Sequence, residues 1–275
     1  MSKYNNYSVL MSVYNKEKAE YLDESMKSIF EQTLKTNDFV LVCDGPLNRD
    51  LEDVIKKYQQ KFFNILNIIR MDVNSGLGIA LNEGLKHCKN EIVVRQDSDD
   101  ISKKDRCEKE FEVFNKIEDI SIISSSLEEF YGDINNTIGV KKIPTTYEEI
   151  IKYSRKRNPF NHPAVMFKKT DVLDVGSYDE TYHFFEDYYL WIRLLQSKYK
   201  GMNIHEALVY MRVPNDFYKR RGGFKYAKDL LRFHNYLRNS KWESNLDFIT
   251  GAIPHAIVSI LPTWSRKIVY KGLRQ

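Results

Sequence analysis

The sequence predicts an α/β domain in which a mostly parallel sheet is covered by helices. Three observations predict it. Short apolar runs rich in Val, Ile and Tyr alternate with amphipathic segments through the first half of the chain. Two of those runs end on acidic residues, Asp44 and Asp97, and in open parallel sheets ligands bind beyond the carboxyl ends of the strands. The 275 residues are 42% hydrophobic and 29% charged, with only 12 Gly and 7 Pro. That composition fits a soluble domain with a sizeable core and excludes disordered, collagen-like and disulfide-scaffold classes.

The elements follow in order. Tyr7 to Tyr14 (YSVLMSVY) is the first strand, and Tyr21, Leu22, Met26, Ile29 and Phe30 recur at helical spacing within Lys18 to Gln32. Asp38 to Asp44 (DFVLVCD) is a buried strand stopped by Gly45 and Pro46. Ile65 to Arg70 is a third strand, Ile79 to Cys88 a helix entered through Gly76 and Gly78, and Glu91 to Asp97 a fourth strand. A charged helix runs from Asp105 to Lys116, and an apolar, Ser-rich strand covers Ile120 to Ser126. Pro144, Pro159 and Pro163 mark Ile143 to Pro163 as a loop-rich connection, with a helix near Tyr147 to Arg157. Ala164 to Phe167 is a strand, Asp187 to Ser197 a helix with Leu190, Trp191, Leu194 and Leu195 inward, and Ala207 to Val213 one more strand. Asn215 to Gln275 reads as basic helices outside the sheet. The expected division is a main domain over residues 1–213 and a basic extension over 214–275.

Charge is unevenly distributed. Residues 1–197 carry 27 Lys and Arg against 33 Asp and Glu, whereas residues 198–275 carry 15 against 5, a net of +10. Cys43, Cys88 and Cys107 form an odd set without CxxC spacing, and the N-terminus has no secretory apolar stretch. A reducing, cytoplasmic setting is expected. No run reaches the roughly 20 apolar residues that span a bilayer, although Ala256 to Leu261 is short and oily.

Five groups could carry chemistry. The first is Asp97, Ser98, Asp99 and Asp100 at the end of an apolar strand. Clustered carboxylates repel one another unless a cation neutralises them, and oxygen donors suit Mg²⁺ or Mn²⁺; such acids also cap helices and solvate loops. An EF-hand is excluded, since its sixth position needs Gly and is Ser102 here. The second is Asp44 before a Gly-Pro turn, which also reads as a turn-forming residue. The third is Asn74 to Gly84, where glycines open a helix whose amides favour anions, without GxGxxG or P-loop spacing. The fourth is Glu186 and Asp187 among Phe184, Phe185, Tyr188, Tyr189 and Trp191, a setting that raises carboxylate pKa values; acids are equally common at helix starts. The fifth comprises His162 before Pro163, Arg212, and Arg220 and Arg221 before two glycines, candidates to meet the acceptor or a phosphate.

In this order the pieces resemble the family 2 glycosyltransferases of the GT-A fold, over roughly Ser8 to Arg212. Ser8 to Asn15 looks like the family's opening strand and nucleotide-contact turn, with Ser12, Val13 and Tyr14 at its end. Asp44 resembles the uracil-binding aspartate, Asn74 to Gly84 the N-x-G-x-x-x-A-x-N-x-G segment, and Asp97 and Asp99 the D-x-D pair, with Arg106 in place of the arginine that often follows. Glu186 and Asp187 match the E-D pair. The His162 segment, the E-D-Y-x-L-W-x-R-L run and Tyr210 to Arg212 look most like bacterial enzymes that add a sugar to lipid-linked O-antigen, capsule or exopolysaccharide precursors. The Q-x-x-R-W of processive synthases is absent, the place reading LWIRLL.

The resemblance implies an inverting, metal-dependent transfer of one sugar from a UDP-sugar to a lipid-diphosphate-linked saccharide. Asp99 and Asp97 are then expected to hold Mn²⁺ or Mg²⁺. Asp44, Asn74, Gly76, Arg95 and Ser98 are expected to line the donor site, Asp187 to act as base and Glu186 to assist. Galactose or N-acetylgalactosamine leads glucose and N-acetylglucosamine as the sugar. The cationic stretch of Trp264, Arg266, Lys267, Tyr270, Lys271 and Arg274 beside Ile257 to Leu261 is expected either to lie on the inner leaflet or to pack on its own core. A sugar nucleotidyltransferase and a non-enzymatic membrane-binding protein are the competing readings. Nucleic acid is not an expected partner, because the body is acidic and lacks an RNA-type aromatic motif.

Overall fold

The computed structural model describes residues 3–214 and 221–272. Strands β1 (Tyr7–Tyr14), β2 (Asp38–Asp44), β3 (Leu66–Arg70) and β4 (Ile92–Asp97) lie parallel in the order β3-β2-β1-β4. Their registers put Tyr14 opposite Asp44 and Ser12 opposite Asp97, so the acids that end β2 and β4 emerge on one edge with the end of β1. The sheet then continues through β8 (Met166–Lys168), β6 (Ile120–Tyr131), β9 (Lys200–Arg212) and the two-residue β5 (Ile101–Ser102). β8 runs antiparallel to β4 and β6, β6 and β9 run parallel, and β7 (Asp133–Lys141) folds back on β6.

Helices cover both faces. On one, α1 (Ala19–Phe30), α2 (Arg49–Lys61) and α4 (Arg106–Lys116) bury Met26, Ile55 and Phe114 against Val9, Leu41 and Val94. On the other, α3 (Leu77–His87), α5 (Tyr147–Tyr153), α6 (Lys169–Asp174) and α7 (Glu186–Gln196) enclose Leu81, Ile150, Val172 and Trp191 over Leu10, Val42 and Phe167. Gly84 lets α3 lie close to the sheet, since a Cβ there would fall 2.6 Å from Val42 Cγ2. The three cysteines are buried and unbridged.

Past residue 220, α8 (Phe224–Asn239) and α9 (Ile253–Ile260) pack on the outer side of α7, where Tyr188 and Ile192 meet Leu230, Phe233 and Ala256. A π turn (Phe248–Ala252) leads into α9, and α10 (Thr263–Gly272) ends the described chain. No helix among the described residues is long and apolar enough to cross a membrane.

Several boundaries differ from those the sequence predicts. The helix expected to reach Arg157 ends at Tyr153, and residues His162–Ala164 form a 3₁₀ turn, so β8 starts at Met166 instead of Ala164. β6 runs on to Tyr131 because its continuation is covered by β7 and β9. β9 begins at Lys200, well before Ala207, through pairing with β6 that its polar start does not advertise. Helix α2 is written as Leu51, Ile55 and Tyr58, one buried stripe, behind an Asn48 side chain that accepts from the Leu51 amide.

Candidate active site

The turn after β4 holds the acids. Asp97 is gripped by both terminal nitrogens of Arg95, two residues earlier on the same face of the strand. Ser25 on α1 donates to the Asp97 carbonyl at 2.6 Å, and Ser98 donates to Glu17 at 2.8 Å. Beneath them Arg106, fully buried, donates to the Arg95 carbonyl, Gln96 and Ser102 at 3.0 Å each and to Glu110 at 3.2 Å. Arg106 therefore braces the turn from below. The β5–β9 pairing brings Arg212 to the same turn: its amide donates to Asp100 at 2.8 Å and its Nε to the Asp99 carbonyl at 3.0 Å.

Oxygen atoms of Asp97, Asp99 and Asp100 lie within 4.8 Å of one another. Burial, followed by the charges of Asp97 and Glu17, pushes Asp99 up to about 7. Asp100 is held well above the ordinary carboxylate range, by burial and then by Asp99. Asp97 is paired with Arg95 and Asp100 accepts the Arg212 amide, whereas no cationic side chain bonds the Asp99 carboxylate among the described residues, so Asp99 is the acid most in need of a cation. Three hard oxygen donors short of positive charge fit a divalent ion of the Mg²⁺ or Mn²⁺ type.

Asp44 closes the neighbouring edge. Its carboxylate accepts from the amides of Ser75 at 2.7 Å and Gly76 at 3.1 Å, while the Asn74 side chain donates to its carbonyl at 3.2 Å. Asp44 thus fixes the entrance to α3. Gly45 and Gly76 take positive φ, +84° and +98°, and a Cβ on Gly45 would lie 2.6 Å from the Asn74 nitrogen, so only glycine fits there. Among the β1 residues Tyr14 is exposed and Ser12 half-buried, whereas the Val13 side chain belongs to the core, leaving its backbone alone to face a ligand.

The second acidic pair opens α7. The Asp187 carboxylate accepts from Asn158 Nδ2 and from the Tyr188 amide, each at 2.7 Å. Burial raises its pKa while those bonds pull it down. Glu186 is likewise raised by burial and accepts from the Phe184 amide at 3.2 Å. Phe184 stands at φ +70°, a conformation non-glycine residues seldom adopt, just before the pair.

Tyr178 joins the two ends. Its hydroxyl lies 2.9 Å from His162 Nε2, and its acidity is suppressed by burial and by the charges of both Asp187 and Asp97. Burial and the Arg95 charge hold His162 well below the ordinary histidine range, so it meets Tyr178 as a neutral ring. Trp191 of α7 contacts the rings of Phe160, His162 and Tyr178, locking the three to the helix that carries Asp187. Asn82 pins the Tyr178 loop, accepting from the Tyr178 amide at 3.0 Å and donating to its carbonyl at 2.7 Å. Further along that loop Glu180 overlies the start of α3, 3.1 Å from where a Gly76 Cβ would sit.

The structure thus brings together Ser12, Tyr14, Asp44, Asn74, Gly76, Arg95, Asp97, Ser98 and Asp99, with His162 and Asp187 linked through Tyr178. It places the basic candidates elsewhere. The Arg212 guanidinium is buried between the rings of Tyr21 and Phe130 and bonds Glu24, the Gly132 carbonyl and the Asp99 carbonyl, a role that braces the acidic turn from within the protein. Arg221 acts on His255 in the extension, and Arg220 lies outside the described residues. Tyr178, Asn158 and Glu17 escaped sequence reasoning; only the Gly176-Ser177 turn hinted at the first, and none of the three sits in a distinctive motif.

Known proteins share this fold. A mannosyltransferase from Pyrobaculum calidifontis, solved with GDP-Man and Mn²⁺, superposes with a TM-score of 0.66 over 98% of this chain and 80% of its own, at 15% identity. TarS from S. aureus in complex with UDP-GlcNAc gives 0.59 over 82% of this chain and 67% of that one, at 19% identity. These likenesses establish the GT-A fold. In sequence, an Escherichia coli UDP-Gal:alpha-D-GlcNAc-diphosphoundecaprenol beta-1,3-galactosyltransferase is 38% identical, covering 96% of this chain and 95% of its own length. The amylovoran biosynthesis glycosyltransferase AmsE of Erwinia amylovora is 34% identical over 83% of this chain and 84% of its own. The profile of glycosyl transferase family 2 matches residues 8–174, from the first residue after the start of β1 to the end of α6. With that match and those relatives, the chain belongs to glycosyl transferase family 2 and is a glycosyltransferase.

Proposed function

We propose that this enzyme moves one hexose, galactose first among the candidates, from its UDP-linked form to a saccharide carried on a lipid diphosphate at the inner face of the cell membrane, in surface polysaccharide synthesis. The observation that carries the reading is one site with two differently held acidic ends, the Asp97–Asp99 turn with its cation-hungry Asp99 and the hydrogen-bonded Asp187, the charges of Asp97 and Asp187 both reaching Tyr178. The similarity to the E. coli galactosyltransferase supports the donor and the acceptor class.

The chain's own residues divide the work. Asp44, Asn74 and Gly76 hold the rim against which the uracil would rest, and the ends of β1 and β4, with Ser12, Tyr14 and Ser98, border the diphosphate. Asp99, assisted by Asp97, would hold Mn²⁺ or Mg²⁺, which when bound supplies positive charge to the leaving diphosphate. Arg95 holds Asp97 in orientation. Asp187 takes the proton from the acceptor hydroxyl, whose oxygen bonds the anomeric carbon while the bond from that carbon to the diphosphate oxygen breaks and UDP leaves with the electron pair. Attack opposite the leaving group inverts the centre, giving a β-linkage from an α-linked donor. Glu186 orients the acceptor beside Asp187, and His162, neutral and tied to Tyr178, shapes the wall between donor and acceptor.

The test is UDP release from UDP-galactose and related UDP-sugars with a synthetic GlcNAc-diphosphate-lipid, with and without Mn²⁺. Metal-dependent UDP release with galactose retained in a β-linked disaccharide is expected. Release of pyrophosphate when UTP and galactose 1-phosphate are supplied instead would identify a nucleotidyltransferase, and absence of UDP binding would overturn the proposal.

A further inference from the structure

The C-terminal helices are packed inside out. From Leu246 through α9 to Trp264 the buried residues are small, Ala252, Ala256 and Ser259, with Phe248 partly buried beside them, while Leu246, Ile249, Ile253, Ile257, Ile260 and Trp264 point outward, between 37% and 69% exposed. The spacing of three or four residues from Leu246 to Ile260 makes one stripe along the short helix at Asn245–Asp247, the π turn and α9, and exposed Trp264 follows at the start of α10 across the extended Leu261. No Asp, Glu, Lys or Arg occurs from Phe248 to Ser265. Phe224, 82% exposed, flanks the stripe across a groove of about 440 Å³ that Lys228 also lines. Soluble surfaces rarely leave so much contiguous apolar area to water.

We propose that this stripe is the face by which the enzyme docks on an anionic lipid leaflet, α9 lying in the interface plane with Ile253, Ile257, Ile260 and Trp264 among the acyl chains. Charge supports the choice of occupant: exposed Lys225 and Lys228 stand on α8 beside the apolar face, where a leaflet places phosphates. Apolar contact is the main attachment, since Arg266, one of the cations expected to meet the leaflet, is buried against Gly222. The docking face is also tied to the site. The Tyr226 ring of α8 packs at a tilt against Phe184, ring centres 5.5 Å apart, and against His255 of α9 at 6.1 Å, so α9, α8 and the loop that leads into Glu186 and Asp187 form one packed unit. Docking therefore sets the catalytic loop at a fixed height above the leaflet. The orientation rests on the lipid-linked acceptor proposed above; the binding itself does not.

Co-sedimentation of the full chain with phosphatidylcholine vesicles, with and without phosphatidylglycerol, tests the proposal without donor or acceptor. Wild type should pellet with the anionic vesicles, and the double variant Ile253→Glu, Ile257→Glu should lose partitioning about tenfold or more while keeping its thermal midpoint and UDP affinity. Trp264→Ala should show a smaller loss. Wild type left in the supernatant, a double variant that pellets like wild type, or a double variant that merely dissociates a dimer in sedimentation velocity would overturn it. UDP release to a water-soluble GlcNAc-diphosphate acceptor reads the catalytic proposal separately.

Discussion

The two acidic ends of the site are built by different means. At Asp97 most supports come from the next few residues: Arg95 grips the carboxylate, and Gln96, Ser102 and Arg106 brace the turn. At Asp187 the support comes from Asn158, 29 residues earlier, and from the aromatic group around Trp191, gathered from three separate segments. The donor end is a local structure presented by a sheet edge; the acceptor end is assembled by tertiary packing. A binding site for a charged diphosphate needs rigid clustered charge, whereas a base needs one carboxylate held at a defined position.

The sharpest way to break that comparison is to exchange the acids' phenotypes. Asp187→Asn should lower kcat roughly 10²- to 10⁴-fold while leaving UDP affinity in Mn²⁺ unchanged. Asp99→Asn should instead abolish the Mn²⁺ dependence of UDP binding seen by calorimetry. If the two variants failed in the same way, the division of labour would be wrong.

Arg106 gives the next largest effect, and it falls on stability. Its guanidinium and the Glu110 carboxylate are a fully buried pair, so Arg106→Leu leaves an uncompensated acid and should cost about 3–5 kcal/mol. A thermal melt reads this directly. A variant with a wild-type midpoint but impaired metal binding would instead make Arg106 part of the donor site.

The same contrast explains what the sequence disclosed. The acids at the end of β4, the strands up to residue 97 and the α3 entrance were legible because each is a short pattern: apolar runs ending in Asp, and glycines opening a helix. Arg212 was misjudged and the role of Arg106 stayed hidden because motif position says nothing of burial; Arg106 sits beneath the turn and Arg212 between two rings. Tyr178 and Asn158 were illegible because their role depends on loops that meet only after α7 has packed. β7 was also missed, since most of its residues are exposed and it has no buried face to impose an alternation. The outward stripe on α9 is a further case: helical spacing showed an apolar face and could not show that the small residues, instead of the large ones, face the core.

Asn158 sharpens the acceptor side with a smaller effect. A hydrogen bond to a charged group contributes about 1.5–3 kcal/mol, so Asn158→Ala should slow kcat by roughly tenfold or somewhat more and raise the apparent pKa of the kcat profile, because Asp187 loses a bond that favours its ionised form. A drop in activity with an unmoved pH profile would reduce Asn158 to a packing residue. Tyr178→Phe should have a milder effect, since it removes the hydroxyl that joins His162 to the wall and leaves the ring against Trp191.

The least effect at neutral pH belongs to the extension. Burial, then the charges of His234 and Arg157, hold His255 down to about 4. The unfolded chain takes up this proton as pH falls below about 6.5, and the folded chain does not until about 4. The stability tied to a neutral His255 is therefore complete above pH 6.5 and is lost progressively between 6.5 and 4. His255→Gln cannot take up that proton in either state, so its thermal midpoint should fall less steeply than wild type's across that window and match its trend above pH 7. Parallel pH dependences would mean that His255 is as hydrated in the fold as in the unfolded chain, and that the α8–α9 packing beside the catalytic loop is looser than its aromatic contacts imply.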